Sequence, residues 1–359
     1  MKRSRFSVRV GRTGAVLAFV AIVGASPASA APPLVVLAEG LSSPKGLGLV
    51  DSWDPVVVQG AFGAPGPVLQ YLRTGPSRGS TIEVSPTNAL VDVAISPDGA
   101  GWGLGSDRVL YLQDESGVIT PVLDIAAYQA ADPDPYDQDG DADQSNPYGL
   151  AALGNGDVLV ADAQNNDLLR VSRTGAAVTV ARFLPEGVAT DLLPDPLPFP
   201  LPGPLPPIIN AEAVPTGIAI GLDGWAYVSE LKGFPFRPGS SNVYRVNPWA
   251  EDATCSTAAN ADCSVAMTGF TALIDIALDP NNGTVYTYGL AADGVLAFEE
   301  GFGTGVFPPA VLTEVKGGKQ RELVAGQLSQ PGGVAVARDG TVFATDGVFF
   351  GGRLLQIRG

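Results

Sequence analysis

With 37 acidic residues against 21 basic ones, this chain of 359 residues has a formal charge of −16. That charge repels nucleic acid and anionic lipid and leaves cations, sugars, neutral small molecules or basic protein surfaces as partners. It contains no histidine, which excludes a Ser-His-Asp triad, histidine-ligated zinc, iron or copper, and imidazole acid–base catalysis.

Residues 1–30 read as a secretory signal cleaved after Ala30. Five basic residues and no acid precede a short apolar stretch from Gly14 to Gly24, and Ala28-Ser29-Ala30 follows the small-x-small cleavage rule. The stretch is about half of the roughly 20 residues that a membrane span needs, and no second candidate span follows it. The mature chain, 31–359, is therefore expected outside the cytoplasm, periplasmic or extracellular, as a single domain with a large core. It keeps all 37 acids but 16 of the 21 bases.

After an apolar strand at Leu34–Ala38, one short phrase returns six times: an apolar strand opening at a Gly or Asp, a polar turn and a second apolar strand. The anchors are Gly46, Asp92, Gly149, Gly217, Asp275 and Gly333, spaced by 46, 57, 68, 58 and 58 residues. Pro215-Thr216-Gly217-Ile218-Ala219-Ile220 and Pro331-Gly332-Gly333-Val334-Ala335-Val336 are clear copies; Val91-Asp92-Val93-Ala94-Ile95 and Ile274-Asp275-Ile276-Ala277-Leu278 carry the acid. Turn residues such as Pro97-Asp98-Gly99, Asp223-Gly224 and Asp339-Gly340 suit tight hairpins after the anchor strand, and two further β-prone runs follow in each unit. Six units of four antiparallel strands predict an all-β, six-bladed β-propeller. The sixth unit stops after three strands at Ile357, so the strand at Leu34–Ala38 is expected to complete it, which closes the ring and removes an exposed sheet edge.

Three insertions interrupt the units, at about 126–146, 191–212 and 299–320. The first holds Asp132, Asp134, Asp137, Asp139, Asp141 and Asp143 at largely alternate positions. Alternating carboxylates on a glycine-containing loop suit a hard cation such as Ca²⁺, and Asp137, Asp139, Asp141 and Asp143 are its candidate ligands. The EF-hand pattern fails, with Ala142 and Tyr148 where a glycine and a bidentate glutamate belong, and a solvated acidic loop is the competing reading. The second, Leu192–Pro207, has proline at nearly every second position and is expected to form an extended polyproline II arm. It packs over one ring face or offers a partner a docking ridge. The third, Glu300–Lys319, reads as a loop or extra hairpin beside the fifth unit. Cys255 and Cys263 flank a short polar loop and are expected to pair as a disulfide in an exported chain.

Asp92 and Asp275 replace the anchor glycine in units two and five, three blades apart and hence diametrically opposite. Both are expected at the mouth of the central channel, where they share a cation, bind a polar ligand, or accept hydrogen bonds from neighbouring backbone amides. Asp162, Glu230 and Asp346 recur after the second strand of units three, four and six, either as functional groups or as caps on loop amides. Tyr148, Phe234 and Phe236 offer apolar walls for a ligand and equally suit a core.

Several stretches resemble the ScyD/ScyE-like secreted family, which is related to NHL-repeat and SMP-30/gluconolactonase-like propellers. These are Gly40-Leu41-Ser42-Ser43-Pro44-Lys45-Gly46, Ser145-Asn146-Pro147-Tyr148-Gly149-Leu150 and Gly233-Phe234-Pro235-Phe236-Arg237-Pro238-Gly239, with Val214-Pro215-Thr216-Gly217 leading to Tyr227-Val228-Ser229-Glu230. The resemblance spans nearly all of the mature chain and implies an exported six-bladed propeller. Related propeller lactonases hold a divalent cation in the channel, with ligands that do not align residue by residue here. The expected function is binding of a small molecule or protein partner; the alternative is a divalent-cation-dependent hydrolase or lactonase working from Asp92 and Asp275.

Overall fold

The computed structural model describes residues 34–358 except 115, 139, 195, 196 and 198–202. The secretory-signal reading of residues 1–30 lies outside the described residues. Six sheets of four antiparallel strands form the ring, as the repeat predicts. Their innermost strands are Leu47–Val50, Leu90–Ile95, Pro147–Ala152, Pro215–Ile220, Leu273–Leu278 and Val334–Val336, each beside the next around the ring. Among the described residues no helix is long and apolar enough to cross a membrane.

Blade 6 is closed by the N-terminal strand. Leu34–Leu41 runs antiparallel to Gly352–Ile357, with Leu34 opposite Ile357, Val35 opposite Gln356 and Val36 opposite Leu355. The chain ends are thus hydrogen-bonded into one sheet, and the edge that Gly352–Ile357 would otherwise present is paired.

Glycine serves two separate purposes in these units, both of them seen in unit four. At the hairpin Gly224 has φ 76° with open space around its Cα, so conformation is what it supplies. At the anchor Gly217 the backbone is ordinary, but an added Cβ would lie 2.6 Å from Asp275 Cα. The anchor glycines let neighbouring innermost strands approach closely at the narrow centre of the ring, which is why the phrase recurs with the blade.

The core is divided into six apolar clusters, one between each pair of adjacent blades. Between blades 3 and 4, for example, Leu159, Ala161 and Phe183 meet Val228, Tyr244 and Val246. Period-2 alternation within each strand therefore feeds two interfaces at once, one on either side of the sheet.

Among the described residues, two helices and one hairpin depart from the blades. Helix α1, Ile125–Ala131, follows blade 2 and is capped by Asp124, which accepts from Ala127 N at 2.9 Å. The hairpin Glu186–Ala189 with Ile208–Ala211 carries the proline-rich arm between blades 3 and 4. Helix α2, Val295–Thr304, ends at Gly305 in the left-handed region. The Glu300–Lys319 segment, expected as a loop or hairpin, instead finishes α2 and supplies the third strand of blade 5, Val311–Lys316. Its glycines resemble turn residues, yet a Cβ on Gly301 would lie 2.5 Å from the Phe307 ring, so this glycine answers to packing within a helix.

Cys255 and Cys263 form the disulfide. It closes a loop of blade 4 whose short strand Ala253–Cys255 pairs in parallel with Ala177–Phe183, the outer strand of blade 3. Asp252 in the same loop bonds Arg182 Nε at 2.7 Å. The loop thus covers blade 3's outer edge, and cross-linking so small a ring contributes roughly 2–3 kcal/mol.

Candidate functional site

Strand 1 of each blade begins at the channel mouth, so antiparallel order returns the connections from strand 2 to strand 3, and from strand 4 to the next blade, to that same end. The mouth is built from residues at or just before the anchors. Asp92 and Asp275, half-buried, face it from blades 2 and 5, and Lys45 enters it from blade 1. Lys45 is only 5% exposed. Its Nζ donates to Tyr148 O at 2.7 Å and lies 3.5 Å from the centre of the Tyr148 ring, a cation–π contact reaching across to blade 3.

Both aspartates stitch neighbouring blades together. Asp92 Oδ2 accepts from Leu150 N at 2.7 Å, and Asp275 Oδ2 accepts from Val334 N at 2.7 Å. Each donor follows the anchor glycine of the next blade, so the two contacts are equivalents three blades apart. Asp275 Oδ1 also accepts from Ile276 N at 2.8 Å.

The charges of this trio are coupled. Burial lowers the pKa of the Lys45 ammonium, and the Asp92 and Asp275 carboxylates pull it back up. Burial raises Asp92, against the opposing charge of Lys45. Asp275 is pushed up to about 7, first by burial and then by the charge of Asp92. Burial, with the two carboxylates, also raises the Tyr148 hydroxyl. The cation shared by Asp92 and Asp275 in this arrangement is the lysine.

That donor set does not suit a divalent metal. Backbone amides take three of the carboxylate oxygens' contacts, and the Lys45 ammonium already supplies a positive charge that acts on both. Among the described residues no three acidic, histidine or cysteine side chains converge as a metal cage. The sequence reading missed Lys45, although aligning the residues before each anchor (Lys45, Val91, Tyr148, Thr216, Ile274, Gly332) sets it apart as the only charged one.

The secondary candidates organise the connections at the same end. Asp162 Oδ1 accepts from Asn146 N at 2.7 Å and from Gln164 N and Asn165 N at 3.2 Å; its Oδ2 takes Ser145 Oγ at 2.6 Å and Gln129 Nε2 at 3.3 Å. Asp346 is held in a fork by Arg353, at 2.8 and 2.5 Å. Glu230 is fully buried beside Lys232, whose Nζ lies 3.0 Å from both Glu230 Oε1 and Glu186 Oε2. Asn242 donates to Glu230 Oε1 through its backbone N at 2.8 Å and its side chain at 2.6 Å, while Glu230 Oε2 is buried without a partner. Burial pushes Glu230 up to about 7. Glu186 opens the hairpin that bears the proline-rich arm, so Lys232 ties that arm to blade 4. Lys232 and Val214 both adopt positive φ, 71° and 57°, which is costly for side chains of this kind.

In the acidic insertion, Asp134 is buried and accepts from Tyr136 N at 2.8 Å and Asn166 Nδ2 at 3.2 Å. Asp137 accepts from Gly140 N at 2.8 Å; Asp141 and Asp143 are exposed, and Asp139 lies outside the described residues. Phe234 and Phe236 pack edge to face with centroids 5.8 Å apart. Phe236 lines a cavity of about 220 Å³ with Leu192, Pro194, Arg237, Leu296 and Glu300, between the arm, the 235–238 loop and α2.

A phenylalanine patch also lies at this end. Phe62 of blade 1 stacks on Phe349 of blade 6, and Phe302 of α2 meets Phe349 at 4.9 Å. Phe62, Phe302 and Phe350 stay more than half exposed.

No protein-family model matches the chain, and no curated protein does. Solved structures with a similar fold include a gluconolactonase from Xanthomonas campestris (10% identity over 90% of this chain and 89% of that one, TM-score 0.54). A glucose dehydrogenase (13% identity, 91% and 99%, TM-score 0.54) and a putative gluconolactonase (10% identity, 92% and 93%, TM-score 0.53) are also similar. At these identities the likeness establishes the six-bladed propeller and nothing of the reaction.

Proposed function

We propose that the chain is an exported binding propeller, in line with its resemblance to the ScyD/ScyE-like secreted proteins, which holds a small molecule or a protein partner on the ring face around Lys45, Asp92 and Asp275. The observation that carries this reading is the concentration of elaborated connections at that one end. Helix α1 with the acidic insertion, the arm-bearing hairpin, the 231–240 loop, α2 and the phenylalanine patch all rise there. The opposite end holds mostly tight turns, the disulfide loop excepted. Loops raised on a rigid scaffold are where binding function concentrates. The disulfide fits an oxidising, extracytoplasmic compartment. A hydrolase reading is supported by fold likeness alone, since three of the Asp92 and Asp275 oxygens accept from backbone amides and the charge of Lys45 acts on both carboxylates.

The test is a thermal-shift and calorimetric screen of sugars, sugar lactones and small aromatics on the mature chain, repeated with Phe236→Ala and with 192–207 replaced by a short glycine linker. Ligands of the wild type are expected to lose at least about tenfold in affinity in both variants, with the melting transition of the free proteins little changed. Lactone turnover that requires added Ca²⁺ or Mn²⁺ and disappears in Asp92→Asn would instead establish the hydrolase.

A further inference from the structure

Between blades 1 and 2 the apolar cluster of Val56, Val58, Val68, Leu90 and Val93 leaves part of the interface unfilled. A cavity of about 480 Å³ opens there, walled on the blade 1 side by Val56, Val68 and Val84 and on the blade 2 side by Gly101 and Gly103. Gly101 opens the strand Gly101–Gly105 and Gly103 lies in its interior, where glycine weakens a strand and marks a bulge, a close backbone approach or a bound ligand. The first two explanations fail here. The strand pairs without a register shift from residue 101 to 104 on both sides, and neither glycine adopts positive φ. No backbone comes near either: a Cβ on Gly101 would meet only the Ile95 side-chain tip at 3.8 Å and Gln113 Cβ at 4.0 Å, and one on Gly103 only the Leu90 methyls at 3.4 and 3.5 Å. The anchor glycines Gly46, Gly149, Gly217 and Gly333 differ, each with a neighbouring strand's backbone within 2.8 Å of such a Cβ.

The chain contains its own control for this interface. Blades 1–3 and 4–6 correspond, with Asp92 matching Asp275, Gly149 matching Gly333 and Asp162 matching Asp346. Within that correspondence the second strand of blade 5, Val285–Gly289, pairs with its inner strand in the same register as Gly101–Gly105 does in blade 2. Gly101 then corresponds to Val285, Gly103 to Thr287 and Gln113 to Val315. Val285 and Thr287 are buried, and Val285 and Val315 pack with Val243 and Ile276 into the core between blades 4 and 5. The fold accommodates side chains at the first two positions, where blade 2 has glycine, and at the third blade 2 has the polar Gln113 in place of valine.

We propose that the slot between blades 1 and 2 is a binding site for a flat, uncharged, apolar small molecule, separate from the channel mouth. The volume lies in the range of drug-sized ligand pockets. On one wall Gly101 and Gly103 add no side chain beside Leu90, Ile95 and Tyr111, which favours a planar body, and the other wall is aliphatic. Ser85, Gln70 and Gln113 provide polar groups at the edge. Asp114 is the charged residue among the described lining, so an anionic ligand is disfavoured.

The probe is N-phenyl-1-naphthylamine, an uncharged planar aromatic whose fluorescence rises in apolar surroundings. The wild-type mature chain is expected to bind it saturably at one site. The triple variant Gly101→Val/Gly103→Thr/Gln113→Val, which installs the blade 5 side chains, is expected to lose at least about tenfold in affinity with an unchanged or raised melting temperature. Val84→Trp fills the slot from the opposite wall and is expected to do the same, so the question stays open to test if the triple variant folds poorly. Absence of saturable binding, or wild-type affinity in the filled variants, overturns the proposal. So does loss of the signal in Phe302→Ser/Phe350→Ser with the slot variants unaffected, because the probe would then sit on the phenylalanine patch.

Discussion

Lys45 illustrates how one residue can decide what two others do. Two carboxylates facing each other across a narrow channel call for a cation, and here the chain supplies its own, held by the Tyr148 carbonyl and ring. The ammonium offsets part of the desolvation that burial imposes on Asp92 and Asp275. Lys45→Met removes that counter-charge and leaves two half-buried acids without it. At pH 8, where Asp275 is ionised in the fold, the loss is expected to be about 1–2 kcal/mol, since a charge acting without a direct contact on half-buried groups is worth less than a buried contact pair. At pH 5 Asp275 is already protonated, so the same variant is expected to lose much less. Urea unfolding at the two pH values measures the difference; an equal loss at both would show that Lys45 contributes packing and no charge compensation.

At the scale of the element, the anchor phrase was legible because it answers to geometry: neighbouring inner strands touch at Gly46, Gly149, Gly217 and Gly333, and no larger residue fits. The closing strand was legible as well, since an apolar run without a partner at one end met a three-stranded unit at the other. Helix α2 was not, because the packing of Gly301 against Phe307 is a tertiary fact that looks locally like a turn. The closing strand also carries a prediction. Leu34 packs into the cluster between blades 5 and 6, and Leu37, Ala38 and Leu41 into that between blades 6 and 1. Removing 31–41 uncovers those clusters and the edge of Gly352–Ile357 together. The expected loss is on the order of 5 kcal/mol from apolar burial alone, with self-association through the open edge. Light scattering and thermal melts of the truncated chain check this; a monomer with an unshifted melt would mean that the ring closes without the strand.

For the molecule as a whole, the opposition of Asp92 and Asp275 could be read from the sequence as a half-turn of a six-bladed ring, but the partners of each could not. Lys45 sits far in sequence from Asp92 and Asp275, and Lys232 far from Glu186, so no local pattern pairs them. The same long-range burial sets how the protein responds to pH. Asp275 and Glu230 each titrate near 7 in the fold, raised first by desolvation from ordinary values near 4, and burial raises Asp92, Asp134, Asp162 and Asp167 in the same direction. Between about pH 4 and 7 the folded chain therefore binds more protons than the unfolded one, and stability falls as pH rises through that window, by up to about 1.4 kcal/mol per unit for each such group. The excess of acids over bases adds repulsion in the same sense. The urea midpoint is accordingly expected to be higher at pH 5.5 than at pH 8. Glu230→Gln is the informative variant: its amide oxygen can still accept from Asn242 and Lys232, and its NH₂ replaces the unpartnered Oε2. It imitates the protonated acid and should flatten the pH profile while leaving stability at pH 8 unchanged or higher. A wild-type profile that rises toward pH 8, or a Glu230→Gln variant with an undiminished slope, would show that Lys232 keeps Glu230 ionised in the fold across this range.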